Sequence, residues 1–291
     1  MTKVIKQGTR DNIDEETHIN SDNHSHSMLP NGMVLSLLKA MRVLRCFSDR
    51  QPEWGLGQLS QELSIPKSTL LNLVKTLEFG GYLEKVPNTQ NYKLGLEVFE
   101  LGYVAKASIP IIQYAIPILE DIQEKTGVIV YFTVPRNGKV LYLEGVYPGR
   151  KLIHYSVTGK VLHMHCTGCG KAMLTYLPEE TVKRIIDYWG MPQFTLQTIN
   201  NYESLMATLK CYRKQGYALD LEEESPGVKC VAVPIRTSHN EVLGAISISG
   251  SMISMPDDKI PEYAEILMNA CNILAQKASL FPVPSFIPRK Y

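Results

Sequence analysis

Apolar positions recur along this chain with two different periods, and the change from one to the other divides it. From Val34 the segment VLSLLKAMRVLRCF sets Leu37, Leu38, Met41, Leu44 and Arg45 at helical spacing, which predicts an amphipathic helix. A loop with Pro52 and Gly55 follows, then LGQLSQELSI, a short helix with Leu56, Leu59 and Leu63 on one face. SIPKST turns tightly into PKSTLLNLVKTLEFGGYL, where Leu70, Leu73, Val74 and Leu77 fall at i, i+3, i+4 and i+7 and form a buried face. Pro66 suits the first turn of this third helix, where a missing N–H costs little, and Gly80 and Gly81 end it. YLEKVPNTQNYKLG then predicts two short strands around a Pro-Asn-Thr-Gln-Asn turn.

Beyond the hairpin, GLEVFELGYVAKAS is a connecting helix and IIQYAIPILEDIQEKTG another, ended by Gly127. The period then shortens to two. VIVYFTVP and KVLYLEGVYP predict strands joined at Arg136-Asn137-Gly138, and KLIHYSV a third. GCGKAMLTYL, PEETVKRIIDYWG and YESLMATLKCYRKQG are helical. YALDLEE, KCVAVPIR and VLGAISISG are strands, and a helix from about Asp257 to Ser279 precedes a Pro-rich tail. The expected class is α+β, with an antiparallel sheet flanked by helices in the second half. The expected division is a disordered arm (1–32), a winged helix-turn-helix (33–94), a helical linker (95–108), a second domain (109–280) and a tail (281–291).

Helix, helix, tight turn, helix and hairpin is the layout of a winged helix-turn-helix, which carries its third helix into the DNA major groove. Opposite the apolar face, that helix carries Lys67, Ser68, Leu71, Asn72 and Lys75, with Thr69 beside them. The two lysines suit phosphates, Ser68 and Asn72 can hydrogen-bond base edges, and Leu71 suits a thymine methyl. Lys85 and Lys93 on the hairpin are expected to add backbone contacts.

The 291 residues suffice for two cores, and 44% hydrophobic with 20% charged residues fits a globular chain. No apolar run is long enough for a membrane span, and the N-terminus lacks the apolar stretch of a secretory signal. A cytoplasmic protein is therefore expected, with its six cysteines as thiols. A net charge of +1 offers no global attraction for nucleic acid. Between Met28 and Lys106 nine Lys and Arg face seven Asp and Glu, so one copy would bind DNA weakly and two on a palindrome better.

LSQELSIPKSTLLNLVKTLEFGGYL with YKLG, and then HCTGCGKAML, GYALDLEEESPGVKCVAVPIR and GAISISG, together resemble the IclR family of bacterial transcriptional regulators over about residues 34–280. The resemblance implies a winged helix, a helical linker and a C-terminal effector domain related to GAF and PAS folds. It implies a dimer or tetramer on a palindromic operator in double-stranded DNA, without cofactor, metal, membrane partner or catalysis. The expected role is a repressor whose operator binding is modulated by a small organic or sugar acid. Asn72 stands where Arg is usual in the family, and Leu71 where a polar or aromatic residue is common, so operator sequence does not transfer.

By position, the resemblance places the effector at Gly168, Cys169, Asp220, Cys230, Ser247 and Ser249, with His154 as a further candidate. Local chemistry agrees. Gly168-Cys169-Gly170 opens a helix, where free N–H groups attract an anion. Ser247 and Ser249 lie two apart on a strand and share a face. Asp220 suits a ligand hydroxyl or amine, while Glu222, Glu223 and Glu224 read as a solvated acidic loop, and Lys171 and Arg236 as structural or surface charges. Two other readings use the thiols. Cys166, Cys169 and Cys230 would form a GAF-like redox site if the helix start lowered the pKa of a thiol. His163, His165, Cys166 and Cys169 would form a zinc or thiol sensor, although ligands this crowded close a tetrahedron poorly.

Overall fold

A computed structural model describes residues 32–149 and 157–288. The expected N-terminal arm, the KLIHYSV strand and His154 lie outside them, apart from Gly32 and Val157. The chain forms two compact units that divide between Gly95 and Leu96.

The first unit contains α1 (Leu35–Arg45), β1 (Trp54–Gly55), α2 (Leu56–Leu63), α3 (Lys67–Phe79), β2 (Leu83–Lys85) and β3 (Asn91–Leu94). Its three strands are antiparallel in the order β1-β3-β2. Leu59, Leu63, Ile65, Leu70, Val74, Leu83 and Tyr92 make the core, together with Val43 and Phe47. The α1 face therefore differs from the expected one. Val43 is buried, whereas Leu37 and Met41 are exposed. Apolar residues surround this helix almost continuously, so periodicity alone does not choose the inward side. The turn into α3 is built as expected. Ser64 takes a left-handed φ of 53° and the Ser60 hydroxyl donates to the Ile65 carbonyl at 2.7 Å. Gly95 closes the hairpin, its N–H donating to the Tyr82 carbonyl at 2.9 Å; a Cβ there would collide with the Gly81 backbone.

The second unit begins with α4 (Leu96–Ala107), whose residues are mostly exposed, and α5 (Ile111–Thr126), which ends at Gly127 with φ 68°. It continues through β4 (Ile129–Arg136), β5 (Lys139–Val146), β6 (Val161–His163), α6 (Gly168–Leu174), α7 (Glu179–Trp189) and α8 (Tyr202–Gln215). Then come β7 (Ala218–Leu221), β8 (Val228–Arg236), β9 (Val242–Ser251) and, after a short 3-10 turn, α9 (Ile260–Ala275). The six strands form one antiparallel sheet in the order β6-β5-β4-β9-β8-β7.

Period-two alternation sends side chains to opposite faces. Val130, Phe132, Val231, Val233, Ile246 and Ile248 pack against α5 and α9. Tyr131, Tyr142, Cys230, Ala232 and Ala245 face the other way, where Met173, Leu174, Val182, Ile185, Leu205 and Leu209 of α6, α7 and α8 cover them. The tail is anchored rather than loose over its described part. Phe281 meets Phe132 edge-to-face at 5.8 Å, and Ser285 bridges to Arg136 beside the β4–β5 turn.

Candidate functional site

On α3, Leu70 and Val74 are buried and Leu73 and Leu77 half-buried, so the opposite face is presented outward. Lys67, Ser68, Thr69, Asn72 and Lys75 are exposed on it and Leu71 is half-buried at its border. Pro66 precedes the helix and its carbonyl accepts the Leu70 N–H at 3.0 Å, so the first turn is well formed around Lys67. The hairpin contributes less than expected. Glu84 pairs with Lys93, and Lys85 with Tyr92, so the two lysines point to opposite faces of the ribbon. Lys93 is also ion-paired to Glu84 at 3.0 Å, which offsets its charge toward a phosphate.

In the second unit, strand register assembles a cavity. Directly opposed residues of an antiparallel ladder share a face. One row across the sheet is Asp220, Cys230, Ser249 and Ile129; the next is Ala218, Ala232, Ser247 and Tyr131. Over these rows lies a cavity of about 220 Å³, lined also by Tyr142, Val157, Leu162, Thr167 and Glu224. If a 150 Å³ cavity accepts benzene, 220 Å³ accommodates a ligand of about nine heavy atoms.

Four of the expected effector residues, Asp220, Cys230, Ser247 and Ser249, line this one cavity. Gly168 and Cys169 do not line it; they lie on the same face of the sheet, at the start of α6, packed against Cys230 and Ser247. A Cβ on Gly168 would meet Cys230 Sγ at 2.7 Å, so glycine is what lets α6 approach β8 here. Thr167 caps α6, its hydroxyl accepting the Gly170 N–H at 3.2 Å and donating to the His163 carbonyl at 2.9 Å. Tyr131, Tyr142 and Thr167 were not expected in the site. Strand alternation places Tyr131 on the right face, but only its pairing with Ser247 reveals that it flanks the cavity.

Burial sets the protonation states. The Ser247 hydroxyl is buried and meets no nitrogen or oxygen partner among the described residues; only the weakly bonding Cys169 and Cys230 thiols lie within reach of it. Asp220 is buried, and desolvation pushes its carboxyl up to about 7, against the opposing pull of the Lys171 cation. Its Oδ1 accepts the Glu223 N–H at 2.8 Å. Burial also holds the Tyr142 phenol well above its ordinary range, so it stays neutral.

The acidic segment is not simply a solvated loop. Glu223 is buried and ion-paired with Lys171, itself fully buried, so Lys171 is a structural charge and not a surface one. The Thr195 and Thr198 hydroxyls donate to the carbonyls of Glu222 and Glu223, each at 2.6 Å.

The thiol chemistry is reversed from what a helix start suggests. Burial pushes Cys169 up to about 11 and Cys166 higher still, so neither is a thiolate near neutral pH. Cys166 donates weakly to the His163 carbonyl, and His165 Nε2 lies 3.0 Å from the Pro192 carbonyl oxygen. The His163 and His165 rings sit edge-to-face within an aromatic cluster with Trp189 and Phe194. Among the described residues no group of three His, Cys, Asp or Glu side chains is placed to hold a metal. Nor is any helix among them long and apolar enough to cross a membrane.

Residues 36–87 match the IclR helix-turn-helix domain, and residues 104–275 match the bacterial transcriptional regulator IclR C-terminal family. The chain is 31% identical over 238 residues to the HTH-type transcriptional regulator XynR of Escherichia coli strain K12, covering 82% of this chain and 94% of that protein. It is 28% identical over 241 residues to the transcriptional repressor IclR of the same strain, covering 82% and 88%. A solved IclR homologue from Microbacterium hydrocarbonoxydans, complexed with 4-hydroxybenzoate, has the same fold; its TM-score is 0.68 at 21% identity, covering 84% of this chain and 99% of that one.

Proposed function

The chain belongs to the IclR family of bacterial transcriptional regulators, and from that premise we propose that it is a ligand-responsive repressor acting in the cytoplasm. Like its relatives it is a DNA-binding regulator and not an enzyme. In this reading α3 enters the major groove of a palindromic operator. Lys67 and Lys75 neutralise phosphates, Ser68, Thr69 and Asn72 meet base edges, and Leu71 packs on a thymine methyl. Lys85 and Lys93 touch the backbone from opposite sides of the hairpin, Lys93 more weakly because of Glu84. Two or four copies assemble so that two winged helices meet two half-sites.

The effector is a small organic or sugar acid held in the Asp220–Cys230–Ser247–Ser249 cavity. The observation that carries this is the Ser247 hydroxyl, buried on the cavity floor with only the weakly bonding Cys169 and Cys230 thiols within reach. Such a group costs about 1–3 kcal/mol if left unsatisfied, which a ligand oxygen removes. Asp220, with its raised pKa, donates to a ligand oxygen when protonated and accepts from a hydroxyl when ionised. The neutral Tyr142 phenol adds a donor, and Ile129 and Leu162 cover the ligand's carbon skeleton. Gly168 and Cys169 act indirectly, by packing the start of α6 against Cys230 and Ser247 beside the cavity. His154 is retained as a candidate on the segment that leads into Val157.

Occupation shifts operator affinity by a coupling free energy of about 1–3 kcal/mol. A thermal-shift screen of the full chain against carboxylic and sugar acids tests the reading. A binder raises the melting temperature by mass action, and Ser247→Ala removes that rise. A hit whose stabilisation is unchanged in both Ser247→Ala and Asp220→Asn would mean that the ligand sits elsewhere.

A further inference from the structure

The sheet carries a second cavity at the opposite end of β8. It measures about 530 Å³ and lies beyond the start of β7, between the β8–β9 turn, the end of α8 and α9. Cys230 and Arg236 are six residues apart on β8, which places the Arg236 backbone about 20 Å from Cys230 in the first cavity.

The second cavity is built around a cation. The Arg236 guanidinium lies 3.6 Å from the centroid of the Tyr176 ring and donates through Nη1 to Asn240 Oδ1 at 2.7 Å. Ring and amide together fix its plane, and most of its five N–H donors remain unspent. The β8–β9 register slips between Ile235 and Arg236, and such bulges re-aim a side chain. Among the described residues no carboxylate lines this cavity or pairs with Arg236, whereas Asp220 and Glu224 line the first. A second guanidinium, Arg213, stands 5.6 Å from the same Tyr176 ring, likewise without an acidic partner among the described residues. Two cations therefore share one ring with no counter-charge among the described residues, beside a hollow that also presents Ser238 and Asn272.

We propose that this cavity is a second binding site, for a small anion whose carboxylate or phosphate group is clamped by Arg236 on Tyr176. The guanidinium matches either group through paired N–H···O bonds, with Ser238 and Asn272 placed to contact the remainder. The site is separate from the effector cavity, so the regulator takes two ligands at two places.

Isothermal titration of the full chain with succinate and with inorganic phosphate, at fixed ionic strength, tests this. At least one of the two binds saturably to the wild-type chain, and which one does so distinguishes a carboxylate ligand from a phosphate one. Arg236→Met weakens that binding by about tenfold or more, the loss expected for charge-assisted hydrogen bonds. Ser247→Ala reports on the first cavity: binding that Ser247→Ala abolishes and a folded Arg236→Met spares belongs there and overturns the assignment, whereas binding that Arg236→Met removes belongs to the second cavity. Asn272 is exposed, and Asn272→Asp brings a carboxylate to the rim, so it weakens anion binding without depending on how Arg236→Met folds. Absence of saturable binding for both probes, or wild-type affinity in Asn272→Asp together with a folded Arg236→Met, overturns the assignment. If Arg236→Met does not fold, Asn272→Asp decides alone, by the same two results.

Discussion

Replacing Glu223 with Gln leaves the Lys171 ammonium inside the protein without its counter-ion. Lys171 is 0% exposed and Glu223 only 7%, so water cannot replace the lost charge. Breaking a buried pair by removing one partner costs about 3–5 kcal/mol. Asp220 stays within electrostatic reach of Lys171 and ionises more readily once Glu223 is neutral, which places the loss toward the lower end. For a unit of this size each kcal/mol lowers the melting temperature by about 2–4 °C, so a fall of roughly 6–12 °C is expected for Glu223→Gln. Removing both charges, as in Lys171→Met with Glu223→Leu, recovers most of that fall because no isolated ion remains. Thermal unfolding followed by circular dichroism measures all three proteins. A single variant that melts within about 1 °C of wild type would show that the pair is solvated and that burial does not govern this segment.

Other consequences are as direct. Asp220 has a folded pKa of about 7 against an ordinary 3.8, so between these values the folded state binds more protons than the unfolded chain. Stability from this group is therefore full below about pH 4, falls as pH rises toward 7 and levels off above it; denaturant titrations across that range should lose this slope in Asp220→Asn. Lys67→Ala should lower the salt slope of operator binding by about one unit per copy, and Asn72→Ala should cost about 1–3 kcal/mol, on an operator selected from random duplexes. Unchanged binding in both would remove α3 from the groove. Under native conditions a thiol reagent should label the exposed Cys211 first and spare Cys166, Cys169, Cys230 and Cys271 until unfolding; rapid labelling of Cys169 would revive a reactive-thiol function.

What the amino-acid pattern reveals, and what it hides, follows from range. The α3 face is legible because Leu70, Leu73, Val74 and Leu77 are local and the turn at Ser64 to Pro66 announces the helix. Ser247 and Ser249 are legible as neighbours because strand alternation is also local. The Lys171–Glu223 pair is not, since its partners are 52 residues apart and an acidic run looks solvated until a fold covers it. The same limit hid Tyr131 and Tyr142, whose place beside the cavity depends on strand pairing. Gly168 is legible as part of a helix start, while its role against Cys230 depends on how closely α6 approaches β8. In α1 the local signal itself is ambiguous, because apolar residues fall on nearly every side.

In the proposed mechanism one cavity controls one DNA-binding face. Fluorescence anisotropy of a labelled operator, titrated with the wild-type chain and with Ser247→Ala in the presence and absence of a stabilising acid from the screen, tests that link. The proposed mechanism predicts that the acid shifts wild-type operator affinity by about five- to 150-fold. It predicts that Ser247→Ala binds the operator as wild type does without the acid and shows little or no shift with it. An acid that changes operator affinity equally in both proteins would contradict it.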